Sequence, residues 1–566
     1  MKHSSKAHIR RWLFLAAALG AAISAGTMLP SLNRQREDLG LHGFTELGSV
    51  SPPLAILVTA SGPFRAIAIN ALWMRATRLQ EDGKFFELNE LSRLITTLEP
   101  RLPMVWAHHA WNLAYNVSVK FPASQPDERW RWIQNGIRVL RDQGIPANPR
   151  AALLYRELAW IYDHKIGQTS DEAHVTYKVR LTELVEKLLG PPPYLQTLQA
   201  IASAPLTRAA LLAEKPVAAL VRRLQDAGLD VFTRPLDVAN RAEGIAQPAL
   251  DILNNPAIAP AVQRLDLFLR ADTLRRVEKL DPERMVQLME HYGPIDWRLP
   301  DALSLYWSVR GLEVLGGKLD NAANTDRIAF HAVVNLYRRG TLRYTPATDS
   351  EPAQWIGSPN FAFIERVLEI QEDIIQRYKG TAQEDPTREG YLNFLREIVL
   401  DCYIHGDVNR ARRYYKLLTT RGPEKGPMEN FIVRRYTERV KAPTYDDYRN
   451  LMTALLYRSL WQSSLGFTDQ ARGLEKVAEL LWKKYTADHA SRLALAPLKE
   501  LWKIALEQAV RTFPKWQVER LRQLYPKAVK QVEKKLESDR LKRQEQIKRR
   551  PTKATAPGPQ PVAPAN

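Results

Sequence analysis

His108 and His109 form the one adjacent histidine pair in this 566-residue sequence, and paired imidazoles are what a metal site draws on. Successive side chains on a helix project about 100° apart, so these two cannot share one ion as an i, i+4 pair would. Both read as ordinary helix residues. Cys402 is the only cysteine, which excludes an intramolecular disulfide framework and any Cys-rich metal site. It falls on the apolar stripe of its expected helix and reads as a small core hydrophobe rather than a nucleophile. No Gly-rich phosphate loop ending in Lys-Ser or Lys-Thr occurs, nor a strand-borne G-x-G-x-x-G, nor an HExxH helix. Carboxylate pairs are abundant, but spacing singles out none of them. The sequence therefore implies no cofactor, no metal and no catalytic residue, and what chemistry it offers is recognition by aromatic and cationic side chains.

The cations are concentrated at one end. Lys plus Arg is 81 against 62 for Asp plus Glu, a formal net charge of +19. Fifteen Lys or Arg and only five Asp or Glu lie between Arg511 and Lys553, so more than half of the excess sits there. Val518, Leu521, Tyr525, Val529, Val532 and Leu536 recur every three or four residues in this segment. They make a stripe that docks a basic helix, bent at Pro526. Lys542, Arg543, Lys548, Arg549 and Arg550 then form a cationic tail suited to an anionic lipid or cell-wall polymer. No aromatic follows Tyr525 to stack on bases, so nucleic acid is not the expected partner. Residues 551–566 are Pro- and Ala-rich, a composition that resists folding.

The opposite end carries a membrane signal. Lys2, Lys6, Arg10 and Arg11 precede 22 uncharged residues, Trp12 to Asn33, enough for a helix spanning roughly 30 Å of hydrocarbon. The cationic side stays in the cytoplasm, which places the body in the extracytoplasmic or periplasmic space, held by a single-pass anchor in the inner membrane. Small residues around Ser24, Ala25 and Gly26 also permit a cleaved secretory signal. A second apolar patch, Pro53 to Met74, is broken by Gly62, Pro63 and Arg65, and reads as a linker leading into a helix of the body.

Composition marks the chain as folded: 45% of residues are apolar, 25% charged. From residue 63 onward, apolar positions recur at three-to-four spacing almost everywhere. Phe361, Ile364, Val367, Leu368, Ile374, Ile375 and Tyr378 share one face, with Gln371 the polar interruption. Gly and Pro punctuate these segments at helix-hairpin intervals, which predicts an all-α chain of antiparallel helices, bundle or solenoid.

A repeat frame of 34 residues fits Ile69 to Leu102 without a gap, with Ala76 at a close crossing, Gly83 at the turn, Phe85 beyond it and Pro100 closing the unit. Leu88 stands where a small residue is usual. Pro100 predicts a bulky residue six positions on, and Trp106 is there; Pro149 predicts another, and Tyr155 is there, followed by Leu158, Ala159 and Tyr162. The longer interval between the two prolines implies an insertion around Lys120 to Glu128. The frame returns from Leu392 to Lys425, with Gly406, Ala411, Tyr415 and Pro423 in place, and again at Gly466, Ala471 and Ala478. In these features the chain resembles the tetratricopeptide-repeat proteins. With its basic N-terminal anchor and the runs around WAHHAWNLAYN and LLYRELAWIYDHKIG, it is similar to poorly characterised membrane-anchored repeat proteins of bacteria.

The resemblance implies a TPR-like α-solenoid that binds through its concave face. Register places Asn70, Trp73, Thr77, Met104, Ala107, Trp111, Arg156, Trp160 and Asp163 there. Trp73 and Ala107 stand where carboxylate-gripping repeats carry Lys, and Thr77 and Trp111 where they carry Asn, so that grip is not expected. Trp73, Trp111 and Trp160 instead outline an aromatic groove, with Thr77, Arg156 and Asp163 beside them, for a peptide, a partner helix or a glycan. Helical tryptophans also serve as core, so burial inside the array is the competing reading. Trp130 and Trp132, two apart, cannot face the same way.

The expected organisation is an anchor or signal at 1–33, a linker at 34–62, repeats at 63–190, an irregular helical region at 191–360, repeats at 361–510, a basic helix at 511–550 and a tail at 551–566. The function this implies is a non-enzymatic membrane-anchored scaffold for protein or peptide partners. The alternatives are an extracytoplasmic enzyme or glycan-binding protein acting on cell-wall material, and a basic adaptor for anionic polymer or nucleic acid.

Overall fold

The computed structural model describes residues 65–316, 323–348, 353–438, 445–489 and 495–548, with isolated positions between 20 and 31. These residues are mostly helical. The chain forms two compact units, 1–370 and 371–566, and the division falls within the helix Ile364–Arg377.

The first unit opens with a hairpin of α1 (Arg65–Glu81) and α2 (Phe85–Leu98). Gly83 turns between them at φ +69°, a conformation that costs other residues but not glycine. Ala76, Leu79, Leu88, Ile95 and Val105 share one apolar core, so Leu88 fills the crossing that a smaller residue would leave open.

The next three helices share an unusual build. α3 (Pro103–Trp111) continues unbroken into a wide i→i+5 segment, Asn112–Val117, and a tight last turn, Ser118–Lys120. α4 (Pro126–Arg138) passes into a second wide segment, Val139–Gly144, and closes in Ile145–Ala147. α5 (Ala152–Trp160) passes into a third, Ile161–Gly167. α6 (His174–Leu189) follows. The extra length between Pro100 and Pro149 is thus mostly helix: the connection itself is only residues 121–125, where the spacing implied an insertion running to Glu128.

Small residues let these helices cross closely. A Cβ on Gly136 would meet the Ala110 carbonyl oxygen at 2.8 Å, and one on Gly144 would meet the Trp106 Cβ at 3.1 Å. Past a series of further helices, α7 (Pro300–Leu315) packs on α5, with Gly311 against Tyr155, and α8 (Ala323–Arg339) packs on α7.

Region 191–360 is not helical throughout. β1 (Thr341–Thr345) and β2 (Gln354–Ser358) pair antiparallel, Thr341 opposite Ser358 and Thr345 opposite Gln354. β-Branched and aromatic residues in both strands favour the extended form. The hairpin is tied to α6 by the Trp355 indole, which donates to Thr182 Oγ1 at 3.1 Å.

The second unit repeats the hairpin geometry. α9 (Glu384–Ile404) and α10 (Val408–Arg421) turn at Gly406, φ +81°; α11 (Tyr445–Ser464) and α12 (Thr468–His489) turn at Gly466, φ +82°. Cys402, Ala411, Ala471 and Ala478 are buried. α13 (Leu498–Thr512), α14 (Lys515–Leu524) and α15 (Pro526–Lys548) follow. Pro526 begins a new helix rather than bending one, because its ring fits a first turn and not an interior. Leu521, Val529 and Val532 of the expected stripe are buried.

No helix among the described residues is long and apolar enough to cross a membrane. The 12–33 segment lies outside the described residues apart from isolated positions, as do Arg549, Arg550 and the 551–566 tail.

Candidate functional site

Two of the three expected groove tryptophans belong to one row of contacting rings. Trp111 stacks on Tyr115 at 5.5 Å between ring centroids, Tyr115 lies 5.8 Å from His164, and His164 stacks on Trp160 at 4.8 Å. Tyr115 and His164 each sit inside a wide segment, four residues after the tryptophan that ends the preceding α-helix, a spacing that makes side chains neighbours on a helix face. Trp111 keeps 38% of its surface exposed, while Tyr115, Trp160 and His164 are half-buried.

The same geometry moves Asp163 off the expected face. In the wide turn the third residue falls to the side of Trp160, so Asp163 is buried and accepts from Asn335 Nδ2 of α8 at 3.3 Å. Arg156 is half-buried and pairs with its neighbour Glu157 at 2.7 Å. Trp73 stands apart from the row, tilted against His108 at 5.1 Å. Exposed Thr77 donates to the Trp73 carbonyl oxygen at 3.1 Å. The adjacent imidazoles go to different helices: His108 Nε2 is 3.1 Å from Gln80 Oε1 of α1, and His109 Nε2 is 3.0 Å from Asn89 Oδ1 of α2. Burial, with His108 and Arg93 nearby, pulls His109 down to about 4, so it is neutral near pH 7. Trp130 and Trp132 diverge as their spacing requires, Trp130 stacking on Tyr177 and Trp132 lying against Phe121 and Phe86.

Behind the row lies a buried charged centre that the sequence did not single out. Asp171 accepts from Arg129 Nη1 at 2.9 Å, Lys165 Nζ at 2.7 Å and the Ala173 amide at 2.9 Å. Arg339 clamps both oxygens of Asp301 at 2.6 Å and donates to the Gly167 carbonyl at 2.7 Å. Lys178 Nζ donates to the Gln168 carbonyl at 3.0 Å and to His174 Nδ1 at 2.9 Å. Lys165 links centre and row, its Nζ lying 5.5 Å from the centroid of the Tyr115 ring.

Electrostatics leave the row uncharged. Burial, then the carboxylates of Glu157 and Asp163, push the Tyr115 phenol up, while burial and the Lys165 cation pull the His164 imidazole down. Tyr115 Oη and His164 Nδ1 are buried with no hydrogen-bond partner among the described residues. The row therefore offers apolar ring edges and two neutral polar atoms, which suit amide or hydroxyl groups better than phosphate or carboxylate. Tyr115 and His164 were legible as aromatics four residues beyond Trp111 and Trp160, a spacing that repeats in both helices.

Of the expected anionic-partner tail, Lys542, Arg543 and Lys548 fall on the last turns of α15, and Arg549 and Arg550 lie outside the described residues. No known protein family, curated protein or solved structure matches this chain.

Proposed function

We propose that this chain is a membrane-anchored, non-enzymatic scaffold that binds protein or peptide partners through a TPR-like helical surface, with its body on the extracytoplasmic side. The observation that carries this reading is the partly exposed row Trp111–Tyr115–His164–Trp160 on two helices of the first unit. Aromatic side chains that present an apolar body and a neutral polar tip are the common anchors of peptide recognition. The N-terminal basic-then-apolar sequence is read as the anchor, which raises the local concentration of whatever the array holds. The basic end of α15 gives a second, weaker contact to anionic lipid or cell-wall polymer at the same membrane face.

A photo-crosslinking residue placed at Trp111 in the full chain tests the reading. Expected is a discrete protein adduct that Trp160→Ala reduces at least about tenfold, as loss of an anchor side chain should. An adduct no stronger than that from the exposed outer position Arg131 sinks it.

One observation favours the glycan-acting alternative. Burial, then the neighbouring Asp301, push the Asp163 carboxyl up to about 6, as a general acid requires. It sits one residue from His164, but with 2% of its surface exposed and an oxygen held by Asn335. Hydrolysis of a cell-wall glycan lost on Asp163→Asn, with the fold intact, would establish that alternative.

A further inference from the structure

In the second unit, α13 packs on α11 and also on α15, and a groove of about 450 Å³ runs between α13 and α15. Trp502, Ile504 and Leu506 of α13 face Ala528 and Val532 of α15 across it. Leu506 and Val532 are buried, so the floor is apolar, and it meets solvent at half-buried Trp502 and at Ile504, which is 51% exposed. Tyr525 holds the Trp502 ring edge to face at 5.2 Å between centroids. Lysines line both lips: Lys499 and Lys503 on α13, Lys527 and Lys535 on α15, all exposed. Two carboxylates stand among them, and each already has a cation. Glu500 takes Lys503 at 2.8 Å, and Glu507 takes Lys535 at 2.7 Å. Lys499 and Lys527 have no ion-pair partner among the described residues. Each precedes its own helix's member of the Glu507–Lys535 pair by eight residues, about 12 Å of helix, so the two uncommitted ammonium groups share the other end of the groove.

We propose that this groove docks an acidic amphipathic helix of a partner protein, its apolar stripe on Trp502 and Ile504 and its carboxylates on Lys499 and Lys527. Two helices packed side by side leave a valley that a third fills by setting its ridges into their grooves. The length suits such an occupant, since about 12 Å of helix presents apolar residues at i, i+4 and i+7. The charges suit a helix better than a bilayer. A flat anionic surface laid over the lips would meet Glu500 and Glu507 together with the lysines, whereas a helix can set its carboxylates against the two uncommitted ammonium groups alone. Trp502, held by Tyr525, gives the apolar stripe a rigid aromatic anchor of the kind that dominates such contacts. The groove lies in the other unit from the Trp111–Trp160 row, and its occupancy is independent of that row's.

A fluorescein-labelled helical peptide of about 16 residues, with Leu at i, i+4 and i+7 and Glu on both flanks, is the probe, beside a counterpart carrying Lys in place of Glu. By fluorescence anisotropy, the full-length chain is expected to bind the acidic peptide at least about tenfold more tightly than the basic one. Lys499→Glu with Lys527→Glu should weaken the acidic peptide at least about tenfold and strengthen the basic one. Arg412→Glu with Lys416→Glu makes the same change of net charge at exposed positions of α10 in the same unit, and should alter neither affinity by more than about twofold. Equal losses in the two variants overturn the proposal, because the peptide then answers only to the chain's net charge. Ile504→Ser, at an exposed position where folding is not at stake, should cost at least about fivefold, and an unchanged affinity overturns the apolar half of the contact and the proposal with it. Phosphatidylglycerol vesicles supply the remaining arm. If the Lys499→Glu, Lys527→Glu variant loses vesicle binding while the parent chain holds the acidic peptide no better than the basic one, the occupant is anionic lipid and the helix is overturned.

Discussion

The Trp106 indole donates from Nε1 to the carbonyl oxygen of Pro100, six residues earlier, at 2.8 Å, and Tyr155 does the same to Pro149 at 3.0 Å. In both, a proline closes one helix and an aromatic in the next reaches back to the carbonyl which that proline leaves free. The bond fixes the angle at which one hairpin enters the next. Trp106→Phe should cost about 1 kcal/mol by urea denaturation. Asn148 Nδ2 also donates to the Pro100 oxygen, at 2.7 Å. The double variant Trp106→Phe with Asn148→Ala should therefore cost more than the two single changes added, because only it strips that oxygen of both side-chain donors.

That relationship also says what the sequence could reveal. The six-residue interval was visible because it is local, a proline and an aromatic tied by one bond. The turn glycines Gly83, Gly406 and Gly466 were visible because a positive φ admits few other residues. The wide segments were not visible, since an i→i+5 turn shifts a stripe by only one position and a short window cannot separate that from an imperfect α pattern. Trp111 and Trp160 fall in one row of rings, whereas Asp163, expected in the groove, lies three residues into a wide turn and in the core. The charged centre was hidden for another reason. Asp301 and Arg339 meet Gly167 from helices more than a hundred residues away in sequence, and no local pattern announces such a meeting.

Gly136 tests the close crossing of α3 and α4. A methyl group there would lie 2.8 Å from the Ala110 carbonyl oxygen and 3.2 Å from the Ala114 Cβ, both on rigid helix. Gly136→Ala would gain helix propensity on an exposed surface, but here it should destabilise by about 1–3 kcal/mol through overpacking. Gly390, with nothing within 4 Å of its would-be Cβ and also inside a helix, is the matched control. Gly390→Ala should stabilise by up to about 1 kcal/mol. Thermal midpoints of the two variants moving in the same direction would contradict this account.

Asp171 holds two buried cations, Arg129 and Lys165, whose side chains are 9% and 4% exposed. Asp171→Ala leaves both charges without their shared partner and should cost about 3–5 kcal/mol, far above a surface ion pair. Replacing the exposed pair Arg472–Asp469 in the same way should change stability by less than about 1 kcal/mol. Chemical denaturation of the two variants in parallel separates the cases.

The charged centre should also make stability depend on pH in two opposite ways. Asp163, surrounded by Asp301, Arg339 and Asn335, is pushed up to about 6, chiefly by burial, from an ordinary value near 3.8. Between those values the folded chain keeps a proton that the unfolded chain has lost. This contribution is complete below about 3.8 and fades as pH rises through 6. Lys178, beside His174, Arg339 and Asp301, is pulled down to about 7, again chiefly by burial, from near 10.5. Above 7 the unfolded chain binds a proton that the folded chain does not, so stability rises with pH from about 7 to 10.5. The two groups together make the fold weakest between pH 6 and 7, each acting by a few kcal/mol at most. Asp163→Asn should flatten the loss between pH 4 and 6 and leave the gain above 7, while Lys178→Met should do the reverse. Unfolding free energies measured from pH 4 to 10 on both variants and the parent chain decide it, and parallel curves for all three would remove both groups from the account.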